Sequence, residues 1–89
     1  SGRKLGRSRI AQELRRKGIG ADEAEEALSA IGEDAQLADA IALAEKAAAR
    51  AKSDEDPRKT YQRIAAMLAR RGFRWDITKE ALAQVLQAD

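Results

Sequence analysis

The side chains that could do chemistry in this chain are mostly cations, and they stand in two matching places. "RRK" at residues 15–17 and "RR" at residues 70–71 each precede a glycine, and the second group runs on to Arg74 and Trp75. Cations just ahead of a glycine have two uses. They complement the partial negative charge at a helix C-terminus, worth about 0.3–1 kcal/mol at an exposed site. They also offer donors to an acidic partner or a phosphate backbone. Both uses can hold together, because the charges stay exposed in each. Trp75 either covers the junction of two helices or forms part of a contact surface, where tryptophan is enriched. The candidate partner-binding residues are therefore Arg15, Arg16, Lys17, Arg70, Arg71, Arg74 and Trp75.

Other chemistry is poorly supplied. The chain has no His and no Cys, which removes disulfides, Cys/His zinc sites, the imidazole base and the thiol nucleophile. "SDEDP" at 53–57 lacks the spaced oxygen ligands and the glycine of a calcium loop and reads as a solvated linker with a cap. "GIGADE" at 18–23 has two glycines of a dinucleotide fingerprint, but Glu23 occupies the third place and no strand precedes it. There is no Walker loop. No enzyme activity, cofactor or metal is expected.

The elements that must carry these residues read as helices. Alanine and leucine dominate the apolar content and β-branched and aromatic residues are scarce, a composition that favours helix over strand. Residues 1–7 read as a disordered basic segment. A helix is expected over 8–17, with Ser8 as N-cap, Gly18 at C′ and Ile19 at C″. A second covers 21–31, with Ala24, Ala27, Leu28 and Ile31 at i, i+3, i+4, i+7. A third covers 34–52, where Leu37, Ile41, Ala44 and Ala48 form one line and small residues let a neighbour come close. Asp56 before Pro57 marks the start of a fourth, over 57–71. The fifth spans 75–87 with Ile77, Ala81, Leu82 and Val85 inward. Phe73 is expected in the core and Tyr61 with its ring inward and its hydroxyl at the surface. Nothing alternates with period two.

The helices repeat. Residues 9–31 align without a gap on 63–85, with 10 of 23 positions identical. Among these are Ile10/Ile64, Leu14/Leu68, Gly18/Gly72, Asp22/Asp76 and Leu28/Leu82. Each copy is a helix, a glycine turn and a second helix, and the 34–52 helix precedes the second copy. Fixed spacing of this kind signals stacked units. The expected fold is all-α: tandem three-helix repeats, five helices in total, the first repeat lacking its opening helix. Residues 8–32 hold the last two helices of the incomplete repeat and 33–89 the complete C-terminal one, so the chain reads as the C-terminal piece of a longer array. Charge follows a block pattern. Residues 1–32 carry 7 basic and 5 acidic side chains, residues 33–56 carry 3 and 7, and residues 57–89 carry 7 and 3. An acidic block lies between two basic ones, which argues against a continuous DNA track.

"RRKGI…EEAL" and "YQRIAAMLARRGFRWDITKEAL" resemble the RecX family, bacterial modulators of the RecA recombinase built from tandem three-helix repeats. The resemblance rests on Tyr61, Arg70, Arg71, Gly72, Phe73, Trp75 and Asp76 and covers nearly all of residues 8–87. Where the family often has a small capping residue, this chain has Arg74. The resemblance implies a regulatory module in DNA repair and homologous recombination. It would bind the groove of the RecA–DNA filament and control, by inhibition, its assembly and activity. The second reading is a direct DNA-binding module, since two helices joined by a tight turn resemble a helix-turn-helix and the basic ends could meet phosphates of single- or double-stranded DNA. A monomer is expected. With no apolar run near the roughly 20 residues that span a bilayer and no signal peptide, so is a cytoplasmic location.

Overall fold

A computed structural model describes residues 4–87. Within them the chain forms five helices and no strands: α1 (Arg7–Arg16), α2 (Ala21–Ser29), α3 (Glu33–Ala49), α4 (Pro57–Arg70) and α5 (Trp75–Leu86). Each begins within a residue of the expected position, and α2 and α3 end two or three residues early. Ser8 does not cap α1; the N-cap is Gly6, and no side chain closes that end. At α4 the expected cap is present. Asp56 accepts a hydrogen bond from the Arg58 N–H at 2.9 Å, and Pro57 fills N1.

The two glycine turns are the same object. Gly18 and Gly72 both take a left-handed conformation, at φ +81° and +92°. In the first turn Gly18 N–H donates to the Arg15 carbonyl and Ile19 N–H to that of Leu14, each at 3.0 Å. In the second, Gly72 N–H donates to Ala69 at 3.0 Å and Phe73 N–H to Leu68 at 3.1 Å. These are the paired bonds of the Schellman motif, closing both helices with identical offsets.

The copies differ in what covers them. α3, α4 and α5 pack on one another, with the densest contact between α3 and α5. Ala40 and Ala44 of α3 let it approach closely enough that Ile64, Leu68, Ala81 and Leu82 are fully buried, and Phe73 is 5 % exposed. Tyr61 lies half-buried beside this core. The α1–α2 hairpin packs on itself. Its counterparts of those residues, Ile10, Leu14 and Leu28, are half-buried, and Ile19 is 38 % exposed. No helix stands against that hairpin, among the described residues, where α3 stands against its twin.

The two units are set end to end. The molecule measures 47 × 21 × 21 Å with a radius of gyration of 14.3 Å, against about 12 Å for a compact chain of this length. The joint is made by the segment leading into α1. Leu5 and Gly6 are buried. Gly6 N–H donates to the Arg71 carbonyl at 2.8 Å and Ser8 N–H to the Gly72 carbonyl at 3.3 Å. Orphan carbonyls at the end of α4 thus meet orphan N–H groups at the start of α1, and each end satisfies the other. Residues 4–7, expected to be disordered, are held by these bonds and by Gln36; residues 1–3 lie outside the described part.

Candidate functional site

The expected basic groups keep their places at the helix ends. Arg15 and Arg16 lie in the last turn of α1, with Lys17 as its C-cap; Arg70 ends α4, with Arg71 as its C-cap. Arg15, Arg16, Lys17 and Arg70 are exposed. The fold does not bring the two groups together. The start of α1 meets the end of α4, so residues 15–17 lie a helix length away from Arg70 and Arg71, about 15 Å for ten residues.

Arg71 parts from its neighbours. It is half-buried, and its Nη1 reaches the Lys4 carbonyl at 3.5 Å. There it lines a cleft of about 710 Å³ together with Lys4, Arg9, Lys46 and Arg50. The floor is apolar and includes Leu43, Ala47 and Met67. These five cations come from the lead-in segment, α1, α3 and the end of α4, and only the joint brings them together. Arg9 is engaged by Glu13 at 3.6 Å and donates through Nη1 to the Arg70 carbonyl at 3.3 Å. The other four have no ion-pair partner among the described residues.

Arg74 and Trp75 open α5. Arg74 is its N-cap by position but supplies no capping bond. Asp76 takes over that end: its Oδ1 accepts from the Ile77 N–H at 3.0 Å, and Arg74 grips the same carboxylate through Nε at 3.2 Å and Nη2 at 2.8 Å. This forked bond to Arg74, helped by the Ile77 N–H, holds the Asp76 carboxyl below the usual range, while Asp76 raises Arg74. Trp75 is 59 % exposed, so it does not cover the helix junction; Phe73 does.

Two kinds of residue escaped the sequence reading. The first is the clasp at the joint. Gln36 is buried; its Oε1 accepts from the Arg7 N–H at 3.0 Å and its Nε2 donates to the Leu5 carbonyl at 3.2 Å. A second bond runs from Arg7 Nη2 to the Ile31 carbonyl. The signal for Gln36 was there: it precedes Ala40 and Ala44 at intervals of four, on the buried line of α3. The second kind is the cation set of the cleft. Lys46 and Arg50 are one turn apart on α3, which was visible, but their meeting with Lys4 and Arg9 depends on a contact between residues 6 and 72 that no local pattern encodes.

No helix among the described residues is long and apolar enough to cross a membrane. No group of three or more Asp or Glu side chains among them could hold a metal ion.

Comparison with known proteins agrees with this architecture. Residues 34–82 match the family model described as RecX, third three-helix domain, and residues 1–28 match that of RecX, second three-helix domain. The chain is 40 % identical over 86 residues to the regulatory protein RecX of Clostridioides difficile (strain 630), a match that takes in 97 % of this chain and 40 % of that protein. The chain thus spans about two-fifths of the length of this curated relative. No solved structure matches it. The third-domain model alone matches more than half of the residues, the second-domain model lies on the first hairpin, and the relative follows nearly all of the chain, so this chain belongs to the RecX family.

Proposed function

We propose that the chain is part of a regulator that binds the RecA–DNA filament and inhibits its assembly and activity by occupancy, without catalysis. The observation that carries this reading is the end-to-end arrangement of two editions of one hairpin on a rod 47 Å long, with cations exposed at equivalent helix ends. A repeating rod suits a repeating polymer: each unit can face a successive subunit, and linked units gain affinity through effective concentration. Nothing in the mechanism needs an acid, a base or a nucleophile. The rod acts as a monomer, in the cytoplasm where the filament forms. Arg15, Arg16, Lys17, Arg70, Arg71, Arg74 and Trp75 are its proposed contact residues.

Docking as a helix-turn-helix is the weaker reading. The first turn of a recognition helix would face base edges and phosphates. Here the first turn of α2 carries Asp22 and Glu23, and that of α5 carries Asp76, charges that repel a duplex.

The test is filament disassembly, followed by recombinase ATPase activity, with this chain and its longer parent. Arg70→Glu is expected to weaken inhibition several-fold while helicity stays unchanged. Arg70 is chosen because its side chain is exposed, whereas Arg71 also serves the joint. Unchanged inhibition by the variant, or no association of either protein with the filament, would remove this reading.

A further inference from the structure

We infer that the cleft at the joint between the two units is a binding site for the phosphodiester backbone of a nucleic-acid strand. The cleft of about 710 Å³ gathers Lys4, Arg9, Lys46, Arg50 and Arg71, and among the described residues no carboxylate lines it. Like charges repel, so five cations around one cavity cost free energy unless an anion or a counterion atmosphere fills it. The chain is not short of acids to place there, with 15 Asp and Glu residues, yet among the described residues the acid that pairs with one of these cations is Glu13, which holds Arg9 at 3.6 Å and does not itself line the cleft.

The chemistry of the lining selects among polyanions. Among the described residues, every polar side chain facing the cleft is Lys or Arg, groups that only donate hydrogen bonds. Two carbonyls at its edge are already engaged, Lys4 by Arg71 and Arg70 by Arg9. An acidic peptide would bring an N–H per residue, and the described lining has no side-chain oxygen to receive one. A phosphodiester strand brings oxygens that only accept. Guanidinium forks match phosphate geometry, and three of the five cations are arginines. There is no aromatic side chain in the lining on which a base could stack, so the contacts fall on the backbone and the site carries no base preference.

The inference does not depend on the recombinase, because the strand alone is the ligand. The probe is a fluorescein-labelled oligothymidylate, read by anisotropy with the chain as it stands. Binding is expected at roughly 50 mM salt. Its logarithm should fall with log salt at a slope of about −3, as expected for four or five phosphates neutralised on a single strand. Lys46→Gln with Arg50→Gln should weaken binding about tenfold or more and make the slope shallower by about 1.4, the share of two phosphate contacts. Both residues are exposed, Lys46 in the last turn of α3 and Arg50 at its C-cap, outside the buried line of Ala40 and Ala44, so circular dichroism should be unchanged. The matched control is Arg58→Gln with Lys79→Gln, which removes as much charge from two exposed positions outside the cleft and should cost less than about threefold. Three outcomes would each overturn the inference: no binding of the strand at low salt, a control loss as large as that of the α3 variant, or displacement of the strand by oligoglutamate of equal charge as readily as by unlabelled strand. Filament inhibition can persist through any of them, so failure here leaves the proposed function standing.

Discussion

Gln36 shows how one side chain can hold two units together. It is a polar residue on the buried face of α3, and it is tolerated because both ends of its amide are satisfied, the oxygen by the Arg7 N–H and the nitrogen by the Leu5 carbonyl. The amide acts as a short piece of foreign backbone laid against residues 5–7. Gln36→Leu keeps the approximate size and removes both partners. The Leu5 carbonyl, on a residue only 8 % exposed, would then lose its bond, at a cost of about 1–3 kcal/mol. The loss should appear in thermal unfolding of the α1–α2 signal, with the α3–α5 core, centred on Ile64, Leu68 and Leu82, much less affected. A variant as stable as the parent would mean that water serves residues 5–7 equally well. A Gln on an apolar stripe is readable in a sequence as an anomaly; its partners are not, because they lie some thirty residues earlier and depend on the joint.

At the scale of elements, most of the fold was legible because helices announce their ends locally. Asp56–Pro57 opens α4, Gly18 and Gly72 close α1 and α4, and the spacing of Ile64, Leu68, Ala81 and Leu82 fixes the buried faces. The repeat made α1–α2 and α4–α5 readable as one hairpin. The start of α1 was misjudged because Ser8 has the right side chain for a cap, while the real partner of that helix end is the end of α4. The start of α5 is held by Asp76 and Arg74, and that of α4 is braced by Glu55, which accepts from Arg63 Nη2 at 2.9 Å and from the Thr60 hydroxyl at 2.6 Å. The bond from Arg63, then that from Thr60, draws the Glu55 carboxyl below its ordinary value. For a carboxyl lowered in the folded state, the stabilisation is present above the unfolded-state pKa, about 4, and fades as pH falls through the folded one. With no His in the chain, helicity and thermal midpoint should stay level from pH 8 to about 5 and decline below about 4. Asp76 is exposed and Glu55 only half-buried, so the decline is modest, and Glu55→Gln with Asp76→Asn should flatten it. A transition centred near neutrality would contradict this account.

At the scale of the whole molecule, the joint decides whether the cations form a site or remain scattered charges, and Gly6 allows a test that leaves every charge in place. Gly6 has ordinary extended backbone, with φ −77° and ψ 166°, so alanine is not strained there by conformation. The obstacle is contact: a Cβ at Gly6 would stand 2.2 Å from the Gly72 carbonyl carbon and oxygen, atoms of backbone that cannot turn aside. Gly6→Ala must therefore part the two units. Gly18→Ala is the comparison, since it has open space around its Cβ but a left-handed φ of +81°, and should cost about 1–2 kcal/mol locally without touching the joint. In Gly6→Ala the Ser8 amide should lose its protection from hydrogen exchange while the amides of α4 and α5 around Leu68 and Leu82 keep theirs. If the five cations work as one site, the same variant should also bind the oligothymidylate several-fold more weakly at unchanged net charge, and with a shallower salt slope, because Lys4 and Arg9 move away from Lys46 and Arg50. Gly18→Ala should bind as the parent does. Equal strand affinity in Gly6→Ala, with Ser8 shown to be deprotected, would mean that overall charge and not the geometry of the joint attracts the strand.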